Sequence, residues 1–484
     1  MAATEVQHIV VVGGEVVGPV VAAALAISLR GSDTKISLIQ PDDETPFGDI
    51  QVFRGGAGEF HQVLGIDEAQ LKERSNGVFG LGTRYRGFRA DEQDAFVPLG
   101  SHGLTLRLVD FHHYFLKLRA EGSDDDYNAY SLPAAAAATG YFAPPAPSEN
   151  RVLGTAAYDL YVDRDRYAGY MRRCAESLGV SSVQATVGTV ELDDDGCLDT
   201  AVLADGTRIR GDFFVDCSAD RLLAGHVETE QEFLDWSSFL PCDRVATIRT
   251  KGVTKPDLFS TIEANDDGWL QRRMTTDSAT MSFAWCSQHA DDDLAKCVLE
   301  TYADEPDGCD IPIREHRIGS FARHWVRNCV AIGPAAVTLE PIEVSTLHVV
   351  QSSILRLLGM LPRQKVNTML AEDYNRVTLD ELTNVRDYQA LRYALSGRGE
   401  GAFWENAAKA KRPDSLQDRI DLFRGFGRFT RGDHQIIRQA NWVSSFLNFA
   451  FLPSSYDPLA DMIDENRMKA DLEQFRNEVQ EAAG

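Results

Sequence analysis

Ile9-Val10-Val11-Val12-Gly13-Gly14-Glu15-Val16-Val17-Gly18 opens the part of the chain that decides the fold. Four β-branched residues in a row read as a buried strand, and Gly13-Gly14 ends it. The alanine-rich stretch Val17 to Leu29 has helical length, and Pro19 is tolerated in a first helical turn. Ile36 to Ile39 then reads as a second buried strand. A strand, glycine turn, helix and parallel strand in this order begin an α/β, doubly wound, Rossmann-like sheet, in which the glycine turn meets the phosphates of a dinucleotide. Gly13, Gly14 and Gly18 are the cofactor candidates there, with Gln40 at the end of the second strand, where a side chain meets ribose hydroxyls.

Two more buried strands lie far downstream. Phe213 to Val215 runs into Asp216-Cys217-Ser218, and Cys329 to Ile332 runs into Gly333-Pro334, so Gly333 and Pro334 join the cofactor candidates. Strands so widely spaced predict a discontinuous nucleotide domain built from residues 1–50, 151–230 and 325–362. Residues 51–150 and 231–324 form an interleaved substrate-type domain, and residues 363–484 a helical C-terminal region closed by a charged helix near Asp461 to Ala482. Pro133 to Ala138 and Ala143 to Pro147 read as a surface excursion with no core face. The acidic triplets Asp124 to Asp126, Asp193 to Asp195 and Asp291 to Asp293 read as solvated turns.

Composition narrows the partners. With 73 acidic against 48 basic residues among 484, the formal charge is −25, which repels phosphate backbones and anionic lipid, so no nucleic acid and no membrane partner is expected. The eight cysteines show no Cys-x-x-Cys or Cys/His metal spacing and read as free thiols of a reducing compartment. No apolar run reaches bilayer length, and the expectation is a cytoplasmic protein, with a homo-oligomer open.

The stretch from Leu339 to Leu358 carries the chemistry. An acidic, proline-bent turn, Leu339-Glu340-Pro341-Ile342-Glu343-Val344-Ser345-Thr346-Leu347-His348, runs straight into an apolar helix. It resembles the Leu-Glu-Pro-Leu-Glu-Ser-Thr-x-Ile-His segment of the flavin-dependent tryptophan halogenases. Further segments similar to that family follow in order: Phe79-Gly80-Leu81-Gly82, Phe96-Val97-Pro98-Leu99-Gly100, Tyr161-Val162-Asp163-Arg164, Gly268-Trp269, Trp325-Val326-Arg327-Asn328 and Phe403-Trp404. The resemblance implies FAD, reduced by a separate flavin reductase, and an indole or other aromatic substrate, free or carried on a peptide. It also implies that Glu343 is the catalytic carboxylate that steadies positive charge on the indole, and that the backbone at Ser345 and Thr346 meets halide. The other role open to Glu343 is that of an acid at a helix start. His348 reads as a packed histidine, Asp216 and Arg221 as supports of a loop.

Four positions depart from the family pattern. Glu15 takes the middle glycine of Gly-x-Gly-x-x-Gly; at ~4 Å and an effective dielectric of ~20, its repulsion of a phosphate charge is on the order of 4 kcal/mol. Alternatively its carboxylate occupies the anion site itself, on the helix N–H groups. Gln40 stands where an acid usually takes the ribose, with Asp42 close by. Gly80 stands where the resemblance places the lysine that relays hypohalous acid, and Gln271 replaces the second tryptophan of Gly-Trp-x-Trp-x-Ile-Pro. Two functions remain open: an FAD-dependent monooxygenase-like oxidoreductase without a lysine relay, and a non-catalytic binding protein, a partner of an active homologue, with weakened or lost FAD binding.

Overall fold

The computed structural model describes residues 5–41, 49–56, 59–146, 150–228, 232–302, 311–399, 401–429 and 436–484. Asp42, Gly58, Pro147 and Cys309 lie outside them. The opening unit forms as the sequence predicts: strand His8–Gly13, helix Val17–Ser28 and strand Lys35–Gln40, the strands paired in parallel from His8/Lys35 to Val12/Ile39. Ten consecutive residues of the helix, Val17 to Ala26, are buried, because it is covered on one side by the sheet and on another by helix Arg164–Ser177. The sheet has six strands in the order Trp325–Val326, Cys329–Ala331, Phe213–Cys217, His8–Gly13, Lys35–Gln40 and Ser181–Gln184. All its pairings are parallel except the hairpin of the first two. Strands buried on both faces explain the unbroken valine and isoleucine runs.

A second, seven-stranded sheet is largely antiparallel and includes Gly82–Arg86, Ser260–Asn265, Gly268–Met274 and Ser278–Trp285. In a separate three-stranded piece, Asp159–Asp163 is flanked by Ile50–Arg54 and Val78–Gly80. The C-terminal region is helical, led by the 28-residue helix Thr368–Leu395 and ending with Glu465–Ala483.

The alanine run is not a surface excursion: Leu132–Thr139 is a helix capped by the Ser131 hydroxyl and closed by Gly140 at φ 72°. Leu132, Pro133 and Ala136 are buried, and the helix packs against the final helix. Alanine side chains carry too little apolar signal to mark a core face, but they let two helix backbones approach closely.

Candidate active site

The glycine turn sets the first half of the site. A Cβ on Gly13 would lie 2.5 Å from that of Cys217, and one on Gly18 would lie 2.7 Å from the Gly13 carbonyl oxygen, so strand and helix touch only because both are glycine. Glu15 is exposed, and among the described residues its carboxylate accepts no hydrogen bond from the helix N-terminal N–H groups, so Glu15 does not occupy the helix N-terminus in place of an anion. Gln40 is buried, and among the described residues its Nε2 has no hydrogen-bond partner. Gly333 follows the Cys329–Ala331 strand at φ 65°, facing Val17 and Val350, and Pro334 is the next residue of that short turn. A backbone cradle beside an unsatisfied buried donor at the C-terminal edge of a parallel sheet fits the pyrophosphate and ribose of a dinucleotide.

The second half of the site is the acidic turn. Glu343 has φ 59°, a left-handed conformation that costs a non-glycine residue about 1–3 kcal/mol. The Val344 N–H donates to the Ile342 carbonyl at 2.6 Å, closing a three-residue turn with Glu343 at its apex. Arg392 holds it there: Nε donates to Glu343 Oε2 at 2.6 Å, and the Tyr388 hydroxyl donates to Oε1 at 3.2 Å. Arg392 is fully buried, its guanidinium against the rings of Tyr85, Tyr388 and Phe449. Burial opposes its charge, but the Glu343 carboxylate outweighs that and raises its pKa. Glu343 therefore acts as the counterion of a buried arginine, not as an acid at a helix start.

Glu340 is buried more deeply. It accepts hydrogen bonds from Cys242 N–H and Tyr393 hydroxyl, both at 2.8 Å, and Tyr393 in turn accepts from the Trp269 indole at 3.0 Å. Burial pushes its carboxyl up to about 7. The Gln389 amide ties the same turn by donating to the carbonyls of Glu340 and Ile342. Ser345 caps helix Thr346–Gly359 through its hydroxyl, 3.2 Å from Leu347 N–H.

Glu343, Val344, Ser345 and His348 face a cavity of about 50 Å³ whose other walls include Arg54, Asp159, Tyr161, Ser260 and Arg273. Thr346 is not among its lining residues, whereas Val344 is. His348 thus borders the cavity instead of being only a packed core residue, and burial pushes its pKa down to about 3, so it is neutral. Asp159 is ion-paired with Arg54 at 3.3 Å, and burial raises its pKa despite that cation.

Gly80 pairs with Asp159 across the strands, and a Cβ built on it would lie 2.4 Å from Tyr161 Cζ. The Tyr161 ring fills the space where a side chain at position 80 would begin. Gln271 is buried with its Nε2 unpartnered among the described residues. It shares a strand face with Trp269 and Arg273, by the two-residue period of the strand. Asp216 and Arg221 support a loop: Asp216 accepts from the N–H groups of Ser218, Leu223 and Ala224, and Arg221 donates to the Ala335 carbonyl at 2.5 Å.

A family profile described as tryptophan halogenase matches residues 8–465. The chain belongs to the tryptophan halogenase family. This halogenase-family chain is 24% identical over 476 residues to tryptophan 7-halogenase RebH of Lentzea aerocolonigenes, an alignment covering 92% of it and 87% of RebH. It is similar to the solved structure of BrvH, a flavin-dependent halogenase from Brevundimonas sp. BAL3, with TM-score 0.91, 27% identity and coverage of 99% and 96% of the two chains. For Xcc4156, a flavin-dependent halogenase from Xanthomonas campestris, the TM-score is 0.92 at 30% identity, with the same coverage.

The sequence reading missed Arg392, Tyr388 and Arg273. Arg273 carried a signal, because alternation from Trp269 and Gln271 puts it on the same face; Arg392 carried none, lying 49 residues from its carboxylate in an otherwise ordinary helix.

Proposed function

We propose that the chain is a flavin-dependent oxidoreductase of this family that acts on an indole or another aromatic group without passing halogen through a lysine. The observation that carries this reading is the space beside Gly80, which the Tyr161 ring occupies. The close glycine contact at Gly13 and Gly18 supports a pyrophosphate near the backbone, and the unpartnered Nε2 of Gln40 supports a ribose contact. Bound FAD, reduced by a separate reductase, supplies two electrons for oxygen, one oxygen atom passing to the substrate and the other to water. Arg392, buried behind the cavity wall, holds the strained turn in place through Glu343, whose carboxylate lines the cavity and there stabilises positive charge developing on an aromatic ring.

A second reading, a non-catalytic binding protein, is favoured by Glu15 and by the cavity volume of about 50 Å³. Small-molecule sites commonly span about 300–1,000 Å³. Titration with FAD, followed by reaction with a reductase, NADH, oxygen, bromide and indole substrates, separates the two. The expected outcome is FAD binding at least about tenfold weaker than to an active halogenase, about 1.4 kcal/mol, tightened by Glu15→Gly. Mass spectrometry is expected to find oxygenated product and no brominated product. Brominated product overturns the first reading, and absence of both FAD binding and product leaves the second. Copurification with stoichiometric FAD shows that Glu15 does not weaken the cofactor site.

A further inference from the structure

Two carboxylates line the cavity, and their surroundings differ. Both oxygens of Glu343 are engaged, Oε2 by Arg392 Nε at 2.6 Å and Oε1 by the Tyr388 hydroxyl at 3.2 Å. A proton on Glu343 would strand the charge of a fully buried arginine, so Glu343 stays ionised. Asp159 is held more loosely. Its one ion pair among the described residues is to Arg54, Nε to Oδ1 at 3.3 Å, its carboxylate accepts no hydrogen bond among them, and 19% of the side chain remains accessible. Strand pairing explains the opening: Asp159 stands between Arg54 on one neighbouring strand and Gly80 on the other, and Gly80 adds no side chain to that face. The remaining titratable groups of the wall are poor proton acceptors. Burial pushes His348 down to about 3 and raises the phenols of Tyr161 and Tyr388, while Arg54 and Arg273 are guanidinium ions. Burial shifts Asp159 toward the protonated acid, opposed by Arg54 and Arg273 and aided by Glu59 and Glu343.

We infer that Asp159 is a catalytic residue, the base that takes the proton from the ring carbon of the substrate. The inference rests on the flavin chemistry proposed above and gives the two carboxylates separate tasks. As a hydroxyl group bonds to the ring carbon, the O–O bond of the oxidant breaks and its electron pair leaves on the second oxygen, which ends as water. Positive charge is left on the ring, where the fixed charge of Glu343 stabilises it. The same carbon still carries its hydrogen. That hydrogen passes as a proton to Asp159 Oδ2, the C–H electron pair restores the aromatic ring, and water later takes the proton from Asp159. Arg54, on the other oxygen, keeps the carboxylate oriented. Two carboxyl groups whose surroundings push their proton affinities apart divide proton transfer and charge stabilisation in this way.

The test needs neither flavin nor oxygen, because a base that removes a ring proton also delivers one in the reverse step. Indole is incubated with the flavin-free protein in heavy water at neutral pD, and proton NMR follows each ring C–H signal separately. One position is expected to exchange for deuterium at least about a hundredfold faster than in free indole, within the range of general acid–base catalysis. Asp159→Asn is expected to abolish the acceleration while binding indole within about tenfold of the wild-type affinity. Formate added to Asp159→Ala is expected to restore part of the exchange, which a purely structural aspartate would not allow. If Asp159→Asn does not fold, the double variant Arg54→Met with Asp159→Asn, which removes both members of the ion pair, takes its place. Exchange as fast in the variant as in wild type overturns the inference, and so does absence of accelerated exchange in wild type, whether or not indole binds. Asp159-dependent exchange without any oxygenated product in the reductase reaction would sink the flavin reading and not the proton transfer.

Discussion

At Gly80 a neighbour's ring stands where a side chain would begin. A lysine placed there meets Tyr161, which is itself buried, so Gly80→Lys is expected to destabilise the protein by about 1–3 kcal/mol through overpacking and to restore no halogenation. Adding Tyr161→Ala is expected to recover part of that loss, read from denaturant midpoints. Glu343 poses a different problem. It is the counterion of a fully buried arginine, and removing one partner of such a pair costs about 3–5 kcal/mol. Glu343→Gln is therefore expected to lower the melting temperature as well as any activity. The double variant Glu343→Gln with Arg392→Met is expected to regain stability but not activity, whereas equal stability of wild type and Glu343→Gln would show that the pair carries little.

The turn that opens at Leu339 is anchored to the rest of the fold by a buried carboxyl, Glu340, bonded to Cys242 and Tyr393. Its pKa is raised from 4.5 to about 7 by burial, so the folded state prefers the protonated acid. The sign follows: its contribution to stability is fully present below pH 4.5 and is lost as pH rises toward 7. The loss amounts to roughly 3 kcal/mol at most. Glu340→Gln is expected to flatten that part of the stability profile and to be at least as stable as wild type at pH 8, checked by urea unfolding across pH. The acidic turn was legible in the sequence as an element, but burial of its first carboxylate was not. Glu340 and Glu343 look alike in a string, and only packing against Cys242 and Tyr393 separates them.

Across the whole molecule, buried histidines set the opposite trend. Burial lowers His61 and His324 to about 3 and His102 to about 4, so folding keeps all three neutral. Their contribution is present above the unfolded value of 6.5 and is lost as pH falls below it, at about 1.4 kcal/mol per pH unit for each group. Three such groups outweigh Glu340. The protein is expected to become acid-labile below about pH 6.5, with a lower urea midpoint at pH 5.5 than at pH 7.5. A flat profile between those values would show that the histidines are hydrated.

The sequence by itself determined the parallel sheet, its glycine turn and the family, because those features rest on local rules: strand runs, a turn that tolerates no Cβ, and an ordered set of short motifs. It also located the acidic turn. Only the tertiary structure decided what the turn does. The partner of Glu343 lies on a helix 49 residues away, the ring beside Gly80 belongs to a neighbouring strand, and Arg54, Asp159, Arg273 and Glu343 come together only around one cavity. Pairing and burial are properties of distances between elements, and a linear sequence carries no distances.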